Sequence, residues 1–246
     1  MYLTRGDALR FRSRLPLAII FRAFGATSIL LAFIFCSFGA GSIVLASYSA
    51  PLALRFRMAN WPDLFVVRQF LEPSVCASIL AELKTIEGSA ATLYGRTTTG
   101  FVDDRARKTV RLDPAEETVK LVVARLWKCK EAIEQHFALT LKECEAPQFL
   151  RYREGDFFVA HQDGNTGLLN LDAEERLIST VIILSRESEQ PEAGAHCGGS
   201  LVFSDLRNRV RPPVEPGMLI AFRSETTHEV TPVTHGERYS IASWYR

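Results

Sequence analysis

The chain has 246 residues, which is enough for one domain with additional segments. Its 29 basic and 28 acidic side chains leave a formal net charge of +1, so no general attraction to nucleic acid or to acidic membranes is expected. The five cysteines form no C-x-x-C pair, and their scattered positions indicate neither a zinc ribbon nor a disulfide framework, which makes a reducing compartment the default.

Residues 1–57 are predicted to be an extension with a hydrophobic centre. From Ala23 to Leu54 there is no charged side chain, and five arginines precede this stretch. Three interpretations stay open: a membrane anchor through residues 23–54, a signal-like segment, or a non-inserting extension ahead of a true start at Met58. The first two predict a membrane-associated protein, whereas a start at Met58 predicts a cytoplasmic one.

Residues 58–146 are predicted to be a helical support with a substrate-loop region. A first helix is expected in "FLEPSVCASILAELKTI", where apolar residues recur at helical spacing and Pro73 suits the first turn. A second is expected in "PAEETVKLVVARLWKCKEAIEQHF", with Asp113 as its N-cap and Pro114 at its first position. Between them, "GRTTTGFVDDRARKTVRLD" is predicted to be mainly a solvated loop with a short β-like patch. A minority hypothesis is that its charged cluster contacts a peptide substrate.

After Pro147 the pattern changes to strands. The predicted strands are "QFLRY", "FFVAHQD", "STVIILS", "GSLVFS", "GMLIAF", "HEVTPV" and "RYSIASWYR". Because they are short, separated by turn residues and mostly without helices between them, an all-β sandwich or barrel is expected. The segment "SRESEQPEAGAHCGG" is the most loop-like and is predicted to lie at the mouth of the barrel.

Two potential metal ligands stand close together at the end of one predicted strand. In "YREGDFFVAHQDGN", His161 and Asp163 would project from the same face, because side chains alternate along a strand. His228, much later in the chain, would supply the third ligand. Two imidazoles and one carboxylate are the facial triad of non-haem Fe(II) oxygenases, which leaves positions open for a cosubstrate and O2.

Arg238 is the candidate anion-binding residue. It follows His228 across a predicted hairpin whose loop, "THG", places glycine in the left-handed position. In that register Pro232 faces Arg238, and His228, Arg238 and Trp244 all point inward; a four-residue loop would turn Arg238 to the opposite face. A buried guanidinium is costly unless an anion meets it, and it can grip a carboxylate with two parallel hydrogen bonds.

The other histidines receive less specific predictions. His136 is predicted to be structural within the second helix, His196 to be a loop residue, and His235 to be an exposed turn residue.

From about Pro147 to Arg246 the chain resembles the 2-oxoglutarate- and Fe(II)-dependent dioxygenases of the prolyl 4-hydroxylase type. The resemblance is carried by "YREGDFFVAHQD", "RLISTVIILS", "GGSLVFSD", "VEPGMLIAF" and "HEVTPVTHGERYSIASWY". It implies a mainly β fold with supporting helices, in which residues 147–246 form a double-stranded β-helix (jelly-roll) core. Residues 58–146 would be the helical N-terminal support, and residues 1–57 have no counterpart.

The resemblance also implies a site and a reaction. Fe(II) would be held by His161, Asp163 and His228, and 2-oxoglutarate would place its far carboxylate on Arg238. Tyr152 and Ser179 are further expected neighbours of the cosubstrate. The implied reaction consumes O2 and 2-oxoglutarate, hydroxylates an unactivated C–H bond and releases succinate and CO2, with ascorbate as an expected reductant.

The substrate stays open between a prolyl side chain, another protein or peptide side chain, and a small molecule. Many prolyl 4-hydroxylases use lysine where this chain has Arg238, so proline is not singled out. Many relatives have tyrosine where this chain has Phe158, which removes one possible hydroxyl. The alternative function is a cupin-like metal-binding or sugar-binding jelly roll that does not use 2-oxoglutarate. Arg238 separates the two, because such a protein has no reason to bury it.

Overall fold

The computed structural model describes residues 53–56, 62–91, 103–164, 176–205 and 208–246. The predictions for the hydrophobic stretch 23–54 and for Met58 as a start therefore fall almost entirely outside the described residues. Among those that are described, no helix is long and apolar enough to cross a membrane. Residues 53–56, inside the predicted extension, form a strand that pairs with residues 64–67.

Two helices occur where the sequence predicts them, α1 (Pro73–Leu83) and α2 (Glu116–Phe137). Pro73 stands at the start of α1, where its missing N–H costs nothing. Each helix buries a stripe at helical spacing. These stripes are Cys76, Ile79 and Leu83 in α1, and Val122, Leu126, Cys129, Ile133 and Phe137 in α2.

The predicted N-cap of α2 is wrong. Its N-cap is Ala115, and Asp113 lies before the helix with its side chain 77% exposed. The capping acceptor comes from α1 instead, because the Glu82 carboxylate accepts hydrogen bonds from the Ala115 N–H and the Thr118 hydroxyl, both at 2.6 Å. A carboxylate at this end also complements the helix dipole. Tertiary packing thus replaces the local cap that the sequence indicated.

Replacing Glu82 with alanine is expected to destabilise the protein by about 1 kcal/mol, the usual cost of losing a helix N-cap. The measurement is the free energy of unfolding from urea denaturation. Glu87→Ala, on an exposed side chain of the segment that follows α1, is the control and should change it little. Equal effects of the two substitutions would contradict the capping role.

In the described part of the chain, the strands form an eight-stranded larger sheet, a five-stranded smaller sheet and a third sheet of three strands, with the strands numbered along the chain. In spatial order, the larger sheet contains β1 (Ala53–Phe56), β2 (Leu64–Val67), β13 (Leu219–Arg223), β8 (Ile178–Ile183), β16 (Arg238–Tyr245), β6 (Gln148–Tyr152), β5 (Val110–Leu112) and β3 (Ser89–Ala90). The smaller sheet contains β12 (Arg209–Val210), β11 (Leu201–Ser204), β14 (His228–Val230), β7 (Phe157–His161) and β4 (Arg107–Lys108). The third contains β15 (Val233–His235), β10 (Ala195–Gly198) and β9 (Arg186–Glu187). All seven predicted strand segments contain a strand.

Side chains of the larger sheet alternate between a helix-packed face and an interior face. On β16, Tyr239, Ile241 and Tyr245 join the cluster formed with both helices. The alternate residue Ala242 packs in a different cluster, with Tyr152 and the smaller-sheet residue Val230. The period of two therefore directs Arg238, Ser240, Ala242 and Trp244 into the space between the two sheets. This space contains the candidate site.

The segment predicted to be the most loop-like contains two short strands, β9 and β10. They pair in parallel, and β10 also pairs with β15. The prediction that His196 is a loop residue is wrong: it lies in β10, is 2% exposed and is bonded through Nδ1 to the Gly198 carbonyl. Polar composition hid these strands, because among the described strands β9 pairs only with β10, and β10 in turn pairs with β15, which is far away in sequence.

The prediction for His136 is confirmed, because its side chain is 5% exposed and its Nε2 lies 3.0 Å from the Asp63 carboxylate. The prediction for His235 is only partly right. Its side chain is 42% exposed, but it is the last residue of strand β15 and not a turn residue.

Candidate metal and cosubstrate site

The structure brings His161, Asp163 and His228 together. His161 is the last residue of β7 and His228 the first of β14, and the two face each other across neighbouring strands. One potential ligand atom from each of the three residues lies within 4.8 Å of the others. The Asp163 oxygens are 3.4 Å from Nε2 of His161 and 3.5 Å from Nε2 of His228.

The structural reason why Asp163 lies beside the two histidines differs from the predicted one. Asp163 does not continue β7; it lies in a bend beyond it, where the N–H groups of Asp163 and Gly164 both donate to the Ser224 carbonyl, at 2.9 and 3.0 Å. Strand alternation is therefore the wrong reason for its position. A main-chain contact with the segment after β13 is what turns its carboxylate toward the two imidazoles.

A bulge in β7 shapes the wall beside His161. His228 of β14 is paired with His161 of β7, and Val230 with Phe158. One residue therefore separates the paired positions in β14, whereas two separate them in β7. The extra residue lets Phe158 and His161 share a face, as bulges near active sites often do. Their rings stack with centroids 3.5 Å apart.

Arg107 completes this wall. It lies in β4 opposite Phe158, is 8% exposed and places its guanidinium carbon 4.8 Å from the Phe158 ring centroid. The prediction that the charged cluster around it is mainly a solvated loop is thus wrong at this residue. The pattern of charges gave no sign that one of these side chains is buried against an aromatic ring.

Both imidazoles are oriented for ligation. Nδ1 of His161 lies 2.8 Å from the Val159 carbonyl, and Nδ1 of His228 lies 3.0 Å from the Thr226 carbonyl. A carbonyl only accepts, so each neutral ring carries its proton on Nδ1 and its lone pair on Nε2. Nε2 of His161 is buried without a hydrogen-bond partner among the described groups. A cation between these atoms would satisfy it, so the residues fit a metal ion of the Fe(II) type.

The protonation states also suit a metal. Burial is the largest influence on Asp163 and would raise its pKa, but the neighbouring His228 and His161 offset it and hold the pKa far below its usual range. Burial lowers the pKa of His228 to about 4, despite the opposing charge of Asp163. At neutral pH the carboxylate is therefore ionised and His228 is neutral, which are the forms that bind metal.

The predicted hairpin between His228 and Arg238 is wrong. β14 pairs with β7 and β11 in the smaller sheet, whereas β16 pairs with β6 and β8 in the larger one. The intervening β15 pairs with β10. Gly236 does adopt the predicted left-handed conformation, with φ +72°. His228 and Arg238 are both buried because they start strands in two sheets that face each other.

Arg238 is a buried cation in a mixed polar and aromatic environment. It is 4% exposed and faces Tyr152 across β16 and β6, with its guanidinium carbon 5.1 Å from the tyrosine ring centroid. Nη1 donates to the Ser240 hydroxyl at 2.7 Å. Burial lowers the pKa of Arg238. The charge of Glu187 offsets part of this effect, but burial outweighs it, so an anion from outside the chain would further relieve the cost of burying the guanidinium.

Ser179 and Trp244 face each other across β8 and β16. Ser179 contacts the triad, since its hydroxyl donates to Asp163 Oδ2 at 2.7 Å. The indole Nε1 of Trp244 is buried and forms no hydrogen bond of ordinary geometry with a described group, but the indole acts on Asp163 and helps to lower its pKa. Ser224 is a site residue that the sequence did not reveal, because its main-chain carbonyl holds the Asp163 bend and any residue type has one.

Because Gly199 has no side chain, there is room beside it for Arg238. Its φ is +65°, and a Cβ there would come within 2.8 Å of Val233 Cγ2 and 2.9 Å of Arg238 Cδ. We expect Gly199→Ala to displace the guanidinium and, for the 2-oxoglutarate that the sequence resemblance implies as cosubstrate, to raise the KM by about tenfold, equivalent to ~1.4 kcal/mol. Gly194→Ala is the matched control, because Gly194 has φ +77° with nothing within 4 Å of an added Cβ. It should cost similar stability yet leave KM unchanged, and a rise in both variants would show that backbone strain alone is responsible.

Comparison with known proteins identifies the C-terminal part of the chain. Residues 147–246 match the model of the 2OG-Fe(II) oxygenase superfamily. These residues are a 2OG-Fe(II) oxygenase domain. A PKHD-type hydroxylase of Shewanella oneidensis is 30% identical over 158 residues, which cover 61% of this chain and 65% of the relative. One of Klebsiella pneumoniae is 26% identical over 68% of this chain and 73% of the relative. The chain thus spans about two thirds of the length of these curated relatives.

A solved structure extends the likeness beyond the oxygenase domain. The crystal structure of a Pseudomonas putida prolyl-4-hydroxylase is 26% identical, with a TM-score of 0.58 over 74% of this chain and 92% of that one. The expected mainly β architecture with a jelly-roll core and the resemblance to the prolyl 4-hydroxylase type are confirmed.

Proposed function

We propose that this chain is a 2-oxoglutarate- and Fe(II)-dependent dioxygenase that hydroxylates an unactivated C–H bond and releases succinate and CO2. The observation that carries the proposal is the convergence of two Nε2 atoms and one carboxylate within 4.8 Å in an oxygenase domain. The buried Arg238 supplies the complementary requirement, a cation for a dicarboxylate cosubstrate.

Each residue has a defined task in this proposal. His161, Asp163 and His228 would hold Fe(II), which supplies the activation of O2. The two Nδ1 bonds to main-chain carbonyls keep the ligating nitrogens deprotonated and fix the ring planes. Arg238 would bind the far carboxylate of 2-oxoglutarate with its fork of N–H donors, beside Tyr152. The two facing sheets exclude water from these contacts, which strengthens them.

For the substrate, we propose a side chain of a protein or peptide, with proline as the first candidate. The name of the Pseudomonas putida structure, a prolyl-4-hydroxylase, supports this choice. A small-molecule substrate is the competing outcome. Ascorbate is proposed as the reductant that maintains Fe(II). A cupin-like jelly roll without 2-oxoglutarate is not favoured, because it would bury Arg238 with no anion to compensate it.

The test uses the purified chain under anaerobic conditions. Fe(II) together with 2-oxoglutarate is expected to produce a weak visible charge-transfer band, and admitting O2 should then yield succinate. Neither Fe(II) nor 2-oxoglutarate alone should give the band. Its absence with the wild-type chain, at saturating concentrations of both, would contradict the proposal.

The substrate is sought by mass spectrometry of cells. Proteins that carry one additional oxygen atom in the wild-type strain and lose it in a His161→Ala strain are the candidates. If no protein or peptide changes while metabolite extracts do, the substrate is a small molecule.

A further inference from the structure

Two buried serines connect Asp163 to the larger sheet. Ser179, in β8, is 1% exposed, and Ser224, directly after β13, is 0% exposed. The Ser179 hydroxyl donates to Asp163 Oδ2 at 2.7 Å, and the two serine Oγ atoms lie 2.9 Å apart. Resemblance to the prolyl 4-hydroxylase type suggested a cosubstrate contact for Ser179 and no role for Ser224.

The direction of this chain of hydrogen bonds follows from counting hydrogens. A serine hydroxyl has one hydrogen, and that of Ser179 is directed to the carboxylate. Ser224 must therefore donate to Ser179, whose oxygen accepts. Each donation polarises the next hydroxyl, so the bond that reaches Asp163 is stronger than an isolated one.

Ser224 holds Asp163 in two independent ways. Its main-chain carbonyl accepts from the N–H groups of Asp163 and Gly164, which fixes the bend. Its hydroxyl contacts that of Ser179, which donates to the Asp163 carboxylate. This chain of hydrogen bonds restricts rotation about the Cβ–Cγ bond of Asp163. Ser224, at the end of β13, thus positions both the backbone and the carboxylate of Asp163.

We propose that Ser224 and Ser179 are positioning residues that preorganise the Asp163 carboxylate for metal binding. The proposal rests on the proposed function, since it concerns the affinity of the same metal site. Groups that orient metal ligands typically contribute 10–100-fold to metal affinity. Ser179, in direct contact with Asp163, should account for most of this, and Ser224 should act only through Ser179.

The experiment is a Co(II) titration of the whole chain, followed by visible absorption. Ser179→Ala is expected to weaken Co(II) binding by about 10–100-fold. Ser224→Ala keeps the main-chain carbonyl and removes only the hydroxyl, so a smaller weakening is expected. Because the second serine acts through the first, the double variant should bind Co(II) like Ser179→Ala alone. Ser179→Thr, which restores a hydroxyl, should recover part of the lost affinity.

The controls separate positioning from general destabilisation. Ser185→Ala removes another buried serine hydroxyl, one that accepts the Tyr239 N–H at 2.8 Å beyond the far end of β8, and should leave Co(II) affinity unchanged. Unfolding midpoints of the metal-free variants identify any that misfold. If the losses of Co(II) affinity in the two single variants multiply in the double variant, Ser224 does not act through Ser179. A Ser179→Ala affinity within about twofold of wild type would overturn the positioning role and leave the proposed function intact. Failure of the unaltered chain to bind Co(II) would overturn both.

Discussion

Asp163→Ala is expected to lose Fe(II) binding and, with it, 2-oxoglutarate turnover. The substitution removes the one anionic group among the three candidate ligands and leaves Nε2 of His161 and His228 without a partner charge. The loss of metal affinity should exceed the roughly 10–100-fold that removal of a supporting group costs, because a ligand itself is removed. Metal affinity by Co(II) titration and succinate formation at saturating Fe(II) are the two measurements.

The control for this variant is Asp113→Ala, which removes an aspartate whose side chain is 77% exposed and lies outside the site. It should bind metal and turn over 2-oxoglutarate like the wild type. Wild-type metal affinity in a correctly folded Asp163→Ala protein would contradict the assignment of Asp163 as a ligand. Asp163→Asn offers a second check, since it keeps the shape of the side chain but not its charge.

Arg238→Met is expected to produce effects of opposite sign on cosubstrate binding and on stability. Truncating one partner of a buried charge pair costs 2–5 kcal/mol, so the KM for 2-oxoglutarate should rise by roughly 30-fold or more. In the absence of 2-oxoglutarate, however, the wild-type protein buries a cation whose burial cost the charge of Glu187 offsets only in part. Methionine removes that desolvation cost, so the variant without ligand should melt at a temperature at least as high as the wild type.

Measuring both the KM for 2-oxoglutarate and the melting temperature distinguishes a cosubstrate-binding role of Arg238 from a structural one. A structural arginine would lower the melting temperature on replacement, with or without 2-oxoglutarate. Arg238→Lys should be intermediate in KM, because it keeps a charge but loses the two parallel hydrogen bonds. Arg153→Met, on a side chain that is 59% exposed beside the end of β6, should change neither quantity. An unchanged KM in Arg238→Met would remove the cosubstrate role.

Sequence patterns were most informative where the signal is local. The α2 stripe and the alternation along β16 each depend on residues a few positions apart, and both elements occur where predicted. The first residue of α2 was missed because its capping carboxylate, Glu82, comes from another helix. Strands β9 and β10 were missed for a similar reason, since they pair with each other and β10 also pairs with β15, which is remote in the chain.

The site shows a different relation between sequence and structure. His161, Asp163, His228 and Arg238 were singled out by residue type and spacing, yet two of the geometric reasons were wrong. The bend that positions Asp163 is held by a carbonyl of Ser224, which no side-chain pattern encodes. The burial of Arg238 comes from the facing of two sheets rather than from a hairpin.

The sequence by itself therefore determined which chemical groups are present and which short segments become helices and strands, because these follow from residue type and from periods of 3.6 and 2. Only the tertiary structure decided which strands are neighbours, where β7 bulges, and which serine hydroxyls reach the Asp163 carboxylate. Those features arise from hydrogen bonds between segments far apart in the chain. Their register is set by the packing of whole sheets, and no window of neighbouring residues contains it.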